Sequence, residues 1–310
     1  MEKIVVIGSS NTDLITKVKK FPAPGETIEG VAFMQAMGGK GANQALAAQR
    51  AGGNVSFITC LGNDANGQNA LKYYRDEKLN VSASLIIDNV PSGTAMIWVD
   101  EKGENCIVIT PGANKELSSE YILKVETEIA TADMVVLQME IPYNTVKTVC
   151  ELAHRQHKKV MLNVAPARRI DAGLMNLIDI LVVNETEAEI ISGEKINDTG
   201  EEAMVDKLLA LGAKTVVLTL GKKGCFLKNE QEFYLVPAFH VKALDTTAAG
   251  DTFCGALAAG LSRGYSWKEA LKFATAAAAI CVTRMGAQPS IPTEREIHEF
   301  LSTNNDLRIK

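Results

Sequence analysis

Short, predominantly apolar runs rich in β-branched residues alternate with longer stretches of helical periodicity along most of the chain. The strand-like runs are 4–7, 55–59, 134–137, 160–163, 180–183 and 215–220; the helical stretches are 41–51, 67–78, 142–154 and 201–211. Strands alternating with helices predict a doubly wound α/β fold with a mostly parallel sheet. The alternation breaks at 11–38 and at 91–110, where Pro, Gly and strand-like residues occur without helices, so these stretches read as an excursion from the sheet, a small β-lid. The last third, 250–264 and 267–284, is helical and rich in small residues, which predicts closely packed backbones. No repeat, low-complexity tract or long linker interrupts 1–310, and one domain is expected.

Composition narrows the functional classes. The 310 residues carry 32 Lys plus Arg against 37 Asp plus Glu, a formal charge of −5, which argues against a nucleic-acid binder. Hydrophobic residues at 46% against 22% charged supply a large core. The first strand-like run follows no basic and apolar leader, and no run reaches the roughly 18 apolar residues of a membrane span. A cytoplasmic address without a membrane partner is therefore expected. The cysteines at 60, 106, 150, 225, 254 and 281 form no C-x-x-C pair and read as free buried thiols. His154 and His157 have no accompanying ligand cluster, so they do not mark a metal site.

Five segments could carry chemistry. In 245–251, small residues precede a helix that opens with Asp251, so backbone N–H groups at the helix start could hold phosphate with the carboxylate beside it. Plain capping by Asp251 is the alternative, and the second carboxylate, Asp245, tips the balance toward a site. In 38–43, Gly39, Lys40 and Asn43 do not fit G-x-x-x-x-G-K-[ST], which excludes a Walker loop. They suit a small polyol approached closely by glycine backbone, or else form a glycine turn with a solvated lysine. Asn11 and Asp13 share one face if 8–13 stays extended, beyond a strand's carboxyl end where ligands of such sheets bind; an Asx turn is the alternative. Asn184 and Glu187 have the spacing of a capping box. The segment 219–224 reads as a glycine-rich turn or as main chain that touches a nucleotide, and Glu140 is another carboxylate at a strand end.

These motifs stand in one order: G-S-x-N-x-D at 8–13, G-G-K-G-A-N at 38–43, N-E-T-E-A-E at 184–189, T-L-G-x-x-G at 219–224, D-T-x-A-A-G-D-T-F at 245–253 and R-x-G-A-Q-P-S at 284–290. Over 4–290 the chain resembles the ribokinase-type (PfkB) carbohydrate kinase family. The resemblance implies a three-layer α/β/α, Rossmann-like core whose β-lid joins two subunits into a homodimer. It implies transfer of the γ-phosphoryl of ATP, with Mg²⁺, to a sugar's primary hydroxyl. The polar set Asn11, Asp13, Lys40 and Asn43 favours D-ribose, phosphorylated at O5 to D-ribose 5-phosphate, over 2-deoxyribose or a nucleoside. A silent sugar- or nucleotide-binding regulator is the alternative outside enzymology, and the intact Asp251 with both glycine segments argues against it.

By position, the resemblance implies that Asn11, Asp13, Gly39, Lys40, Asn43 and Glu140 contact sugar and that Asp251 is the base. Ala248, Ala249 and Gly250 match the anion hole. Asn184, Thr219, Gly221, Lys222, Gly224, Gly250 and Thr275 match nucleotide positions, and Glu187 the Mg²⁺ and phosphate network. Asp245, Thr247, Cys281, Arg284, Gly286 and Ser290 match a K⁺ site, several through main-chain carbonyls. Ala248 replaces a Gly common in the family, and Thr275 stands where an Asn near adenine is frequent.

Overall fold

The computed structural model describes residues 2–304 and 309. Its strands are β1 (Lys3–Ile7), β2 (Asn11–Lys17), β3 (Ala32–Gly38), β4 (Asn54–Ile58), β5 (Cys60–Gly62), β6 (Leu85–Ile87), β7 (Gly93–Val99), β8 (Asn105–Thr110), β9 (Met134–Leu137), β10 (Lys159–Asn163), β11 (Ile180–Asn184), β12 (Thr215–Thr219), β13 (Cys225–Asn229) and β14 (Phe233–Val236). Eight of them form the main sheet in the order β14-β13-β12-β11-β10-β9-β1-β4, and every pair from β12 to β4 is parallel. Two antiparallel pairings, β12 with β13 and β13 with β14, finish one edge.

Both faces of this sheet are covered, which explains why its strands are apolar without polar alternation. Ile4 and Val6 turn toward the helices Lys40–Arg50, Ala249–Ser262 and Trp267–Cys281, while Val5 and Ile7 turn toward Tyr143–Arg155 and Glu201–Ala210. All four are fully buried. The architecture is the three-layer α/β/α arrangement that the sequence pattern predicts.

Strand order places the site. The chain leaves β1 toward β4 on one side, then returns to lay β9 on the other, so the order reverses between β1 and β9. In open α/β sheets the two connections diverge at such a point and leave a crevice beyond the carboxyl ends of the strands. Gly8–Asn11 follow β1, Gln138–Glu140 follow β9, and Asn163, Asn184 and Thr219 close the neighbouring strands at the same edge.

A second sheet of four strands, β3-β2-β7-β8, stands over that edge. β2 pairs antiparallel with β3 and parallel with β7, and β7 antiparallel with β8. It leaves large apolar side chains in solvent: Phe33 is 65% exposed, and Met96, Ile107, Val108 and Ile109 are each about half exposed. Five of the six cysteines are buried free thiols, but Cys106 is exposed, because it lies on the edge strand β8 of this sheet.

The small residues of the last third do pack closely. A Cβ on Gly255 would fall 2.5 Å from both the Ala47 Cβ and the Gln44 carbonyl oxygen, so the helix Ala249–Ser262 presses on Lys40–Arg50 where it carries no side chain. Even a methyl group there would force the helices apart. This contact sets the distance between Asp251 on one helix and Asn43 and Gln44 on the other.

Candidate active site

Asn11 and Asp13 occupy alternate positions on β2 and are both buried. Asn114 Nδ2 donates to Asn11 Oδ1 at 2.8 Å and to the Ser10 carbonyl at 3.1 Å, so the Asn11 amide is held in one orientation. The Asp13 carboxylate accepts no hydrogen bond among the described residues. It lies against Gly38, where a Cβ would sit 2.1 Å from its Oδ2, so a side chain at 38 would displace the carboxylate. Burial, and then the charges of Glu140 and Asp251, push the Asp13 carboxyl up to about 7.

Gly39, at φ +89°, turns the chain from β3 into the helix Lys40–Arg50. Glu140 fastens this turn to the loop after β1. Its Oε2 accepts from the Ser9 hydroxyl at 2.5 Å and from the Lys40 N–H at 3.0 Å, and Gly41 N–H donates to Ser9 Oγ at 3.2 Å. The negative field of Asp251, with Glu140 and Glu187 behind it, raises the Lys40 ammonium above its usual range against the effect of burial. Lys40 therefore stands among three carboxylates as their counter-charge.

Asp251 is in the first turn of Ala249–Ser262 and only 7% exposed. Asn43 Nδ2 donates to its Oδ2 and Gln44 Nε2 to its Oδ1, each at 3.0 Å. Ala248 caps this helix at φ 59° and ψ 10°, the left-handed region, at a cost of about 1–2 kcal/mol for a residue with a Cβ. That conformation leaves the Gly250 N–H at the positive end of the helix, where an anion is favoured, while the Ala249 N–H donates to the Thr246 carbonyl at 3.3 Å.

On the far side of Gly250 opens a cavity of about 620 Å³. It brings together Asn184, Thr219, Gly221, Lys222, Gly224, Ala249, Gly250 and Thr275. Its apolar wall comes from Phe239, Val241, Ala278, Ala279 and Val282, none of which the sequence reading singled out. Phe239 and Val241 lie in 237–248, which has no helical or strand period, and Ala278, Ala279 and Val282 lie at the end of the helix Trp267–Cys281, so only their apolarity marked them. Asn184 and Glu187 form a capping box, Asn184 Oδ1 accepting from Glu187 N–H and Glu187 Oε2 from Asn184 N–H, both at 2.8 Å. Burial raises the Glu187 carboxyl, against the Asn184 N–H bond and the charge of Lys40, which favour its ionised form. Among the described residues no group of three or more His, Cys, Asp and Glu could hold a metal ion on its own. That donor set fits a Mg²⁺ that is carried on ATP phosphates, keeps several waters and meets few protein carboxylates.

Two loops meet beside the start of the Ala249–Ser262 helix. Thr247 donates its N–H and hydroxyl to Asp245 Oδ1 at 2.9 and 2.6 Å, and Gly286 N–H donates to Asp245 Oδ2 at 2.9 Å. Burial opposes ionisation of Asp245, but these bonds outweigh it and lower the carboxyl below its usual range. The Cys281 thiol lies 3.0 Å from Ser290 Oγ and 3.6 Å from the Thr247 carbonyl. Arg284 sends its guanidinium away to Glu296 at 2.6 Å, leaving only its main chain to this corner.

A carboxylate fixed between a buried polar pocket and a nucleotide-sized cavity, at an anion-binding helix start, has the parts needed to move a phosphoryl group onto a hydroxyl. Residues 1–294 match the pfkB family carbohydrate kinase description. The chain belongs to the pfkB family of carbohydrate kinases. It is 41% identical over 301 residues to the ribokinase of Haemophilus influenzae, covering 96% of this chain and 98% of that protein. It is 36% identical over 304 residues to the deoxyribokinase of Salmonella typhi, covering 97% and 99%. Among solved structures, Arabidopsis thaliana ribokinase complexed with ribose and ATP superposes with a TM-score of 0.90 at 32% identity, covering 97% of this chain and 98% of that one. As a member of this family the chain is a sugar kinase that transfers phosphate to an alcohol, using ATP with Mg²⁺.

Asp13 gives this site a measurable cost. Its folded-state pKa of about 7 lies above the ordinary carboxylate value of 3.8, so the folded protein holds an extra proton between these limits. Stability is then fully present below about pH 4 and falls as pH rises to 7. Asp13→Asn should melt several degrees above wild type at pH 8, with the gap narrowing at pH 5. Equal melting temperatures at both pH values would show that Asp13 ionises without penalty.

Proposed function

We propose that this kinase phosphorylates D-ribose at O5. The observation that carries the reading is the hydrogen-bonding set around Asp251: buried Asn11, Asp13 and Asn43 and half-buried Glu140, with Gly39 admitting the sugar close to main chain and Lys40 balancing the charge. A pentose places several hydroxyls within reach of such a set. The 41% identity to a ribokinase over nearly the whole chain supports the same substrate.

In this reading Asp251 accepts the proton of the primary hydroxyl as that oxygen forms a bond to the γ-phosphorus and the bond from phosphorus to the β,γ-bridging oxygen breaks. The electron pair of the broken bond leaves with ADP, and the proton passes from Asp251 to solvent after product release. Phosphoryl transfer through a loose transition state depends more on placement and charge than on a strong base. The Gly250 N–H, and the Ala249 N–H once it gives up its 3.3 Å bond to the Thr246 carbonyl, meet the transferring oxygens at the turn led by Ala248. Asn184, Thr219, Gly221, Lys222, Gly224 and Thr275 hold the nucleotide, with Glu187 facing its phosphate end. Mg²⁺ bound with ATP would supply neutralisation of the phosphate charge, with Glu187 the residue placed to meet it.

Two further parts belong to the proposal. The corner formed by Asp245, Thr247, Cys281, Arg284, Gly286 and Ser290 takes K⁺, chiefly through the Asp245 carboxylate and main-chain carbonyls, and so stiffens the turn that aims the anion-binding N–H groups. The apolar side chains of the second sheet are covered by a second copy of the chain, because a cluster of half-exposed Phe, Met and Ile residues is costly in water.

The 36% identity to a deoxyribokinase makes 2-deoxyribose the competing substrate. A site built to bond the 2-hydroxyl leaves buried polar groups unpaired when it is missing, so kcat/KM for ribose should exceed that for 2-deoxyribose by at least 10-fold in a coupled ADP-release assay. Parity between the sugars would reject ribose as the substrate. Asp251→Asn should lower kcat by roughly 10²–10⁴ with ATP binding intact. Titrating KCl against choline chloride in alkali-free buffer should raise kcat for wild type and leave Asp245→Ala flat; identical curves would remove the K⁺ site. Light scattering at micromolar protein should give twice the 33.4 kDa chain mass, and a fully active monomer would contradict the dimer.

A further inference from the structure

Behind Asp251 runs a chain of buried amides that lies outside the proposed sugar and nucleotide surfaces. Asn163 Nδ2 donates to the Val182 carbonyl at 3.1 Å, and Asn163 Oδ1 accepts from Gln44 Nε2 at 3.1 Å. Gln44 Nε2 also donates to Asp251 Oδ1 at 3.0 Å, and Gln44 Oε1 accepts from Gln138 Nε2 at 2.7 Å. Gln44 and Gln138 are 0% exposed and Asn163 8%. Glycine makes room for the last member, since a Cβ on Gly8 would fall 2.0 Å from Gln138 Oε1.

The orientation of each amide follows from its neighbour. A main-chain carbonyl can only accept, so Asn163 must turn its NH₂ to Val182 and its oxygen to Gln44. Gln44 must then present NH₂ to Asn163, which leaves its second N–H for Asp251 and its oxygen for Gln138. Turning Asn163 or Gln44 would bury unpaired groups, at a cost of about 1–3 kcal/mol each, and turning Gln138, whose Oε1 has no partner among the described residues, would set that oxygen against Gln44 Oε1. The main sheet thereby dictates which way the Gln44 N–H points, and through it where one carboxylate oxygen sits. The other oxygen is fixed in the same manner by Asn43, whose Oδ1 accepts from Gln288 Nε2 at 3.1 Å.

We infer that Gln44 is a positioning residue for phosphoryl transfer. It touches neither substrate, and it acts by holding the Asp251 carboxylate so that the free lone pairs face the sugar hydroxyl. This rests on the reading of Asp251 as the base. A misplaced base costs turnover rather than binding, because reacting groups must meet in near-attack geometry.

The experiment is steady-state kinetics and thermal melting of Gln44→Met, Gln44→Glu, Asp251→Asn and the double variant Gln44→Met with Asp251→Asn. Gln44→Met keeps length without a donor, and Gln44→Glu keeps shape and polarity without an N–H. Both should lose roughly 10- to 100-fold in kcat, with KM for ribose and ATP within about threefold of wild type. In the Asp251→Asn background Gln44→Met should cause no further loss, since the group it positions has gone. A normal kcat in either folded Gln44 variant beside an impaired Asp251→Asn overturns the role of Gln44 alone. So does a loss that multiplies in the double variant, or one carried mainly by KM. Near-normal turnover in Asp251→Asn overturns the base assignment, and this inference falls with it.

Discussion

The contact on which the rest of the site depends is the close approach of the helices Lys40–Arg50 and Ala249–Ser262 at Gly255. Two helices that carry ordinary side chains at their crossing stand 8–10 Å apart, and a glycine lets them draw nearer. Asn43 and Gln44 point their short amides at Asp251 across this gap, at 3.0 Å on each side. Neither amide has length to spare. One helix begins at the turn out of the second sheet and the other begins at the Ala248 turn, so their spacing also fixes where the proposed sugar pocket stands relative to the cavity beside Gly250.

The electrostatics of the pocket follow from the same crowding. Glu140 and Asp251 are near enough to add to the effect of burial in raising Asp13, and Lys40 is the cation that Asp251, Glu140 and Glu187 share. In water such a group would be unremarkable, but burial strips its solvation and the effective dielectric falls. The carboxylates differ in how the fold supports them. Glu140 is tied down through Ser9 and the Lys40 main chain, Asp251 by two amides, and Asp13 by no donor among the described residues. An acceptor that the protein leaves unsatisfied is one that a ligand's hydroxyls can satisfy.

The core sheet and the helix starts were legible in the amino-acid sequence because each depends on local pattern. β1, β9 and β10 are read from short apolar runs, and the Asn184 cap from four residues. The second sheet showed as a break in the alternation, although its pairing partners did not, since β2 joins β7 across nearly eighty residues. The buried amides were not legible. Gln44 sits in an alanine-rich helix and Gln138 ends an apolar strand, and neither position differs locally from an ordinary surface glutamine. Their meaning arises only when residues more than ninety apart in the chain are brought together. Gln within a run as apolar as Ala42–Ala48 was the one available hint, because a helix face buried on both sides has no solvent for an amide.

The second sheet joins the core by short connections at its base. The chain passes from β1 to β2 through Gly8, Ser9 and Ser10 alone, and from β3 into the next helix through Gly39. These linking residues are held by close contacts, Gly8 against Gln138, Ser9 to Glu140, Ser10 to Asn114 and Gly39 against Ser10, so the base of the sheet has no spare chain. The outer turns differ: Gly25 and Gly103 have open space around them and positive φ. New termini for a circular permutant, or an inserted peptide, therefore belong at those turns, where exposed loop tips tolerate a break. A cut at the base would separate Asn11 and Gly39 from the strand and helix that hold them.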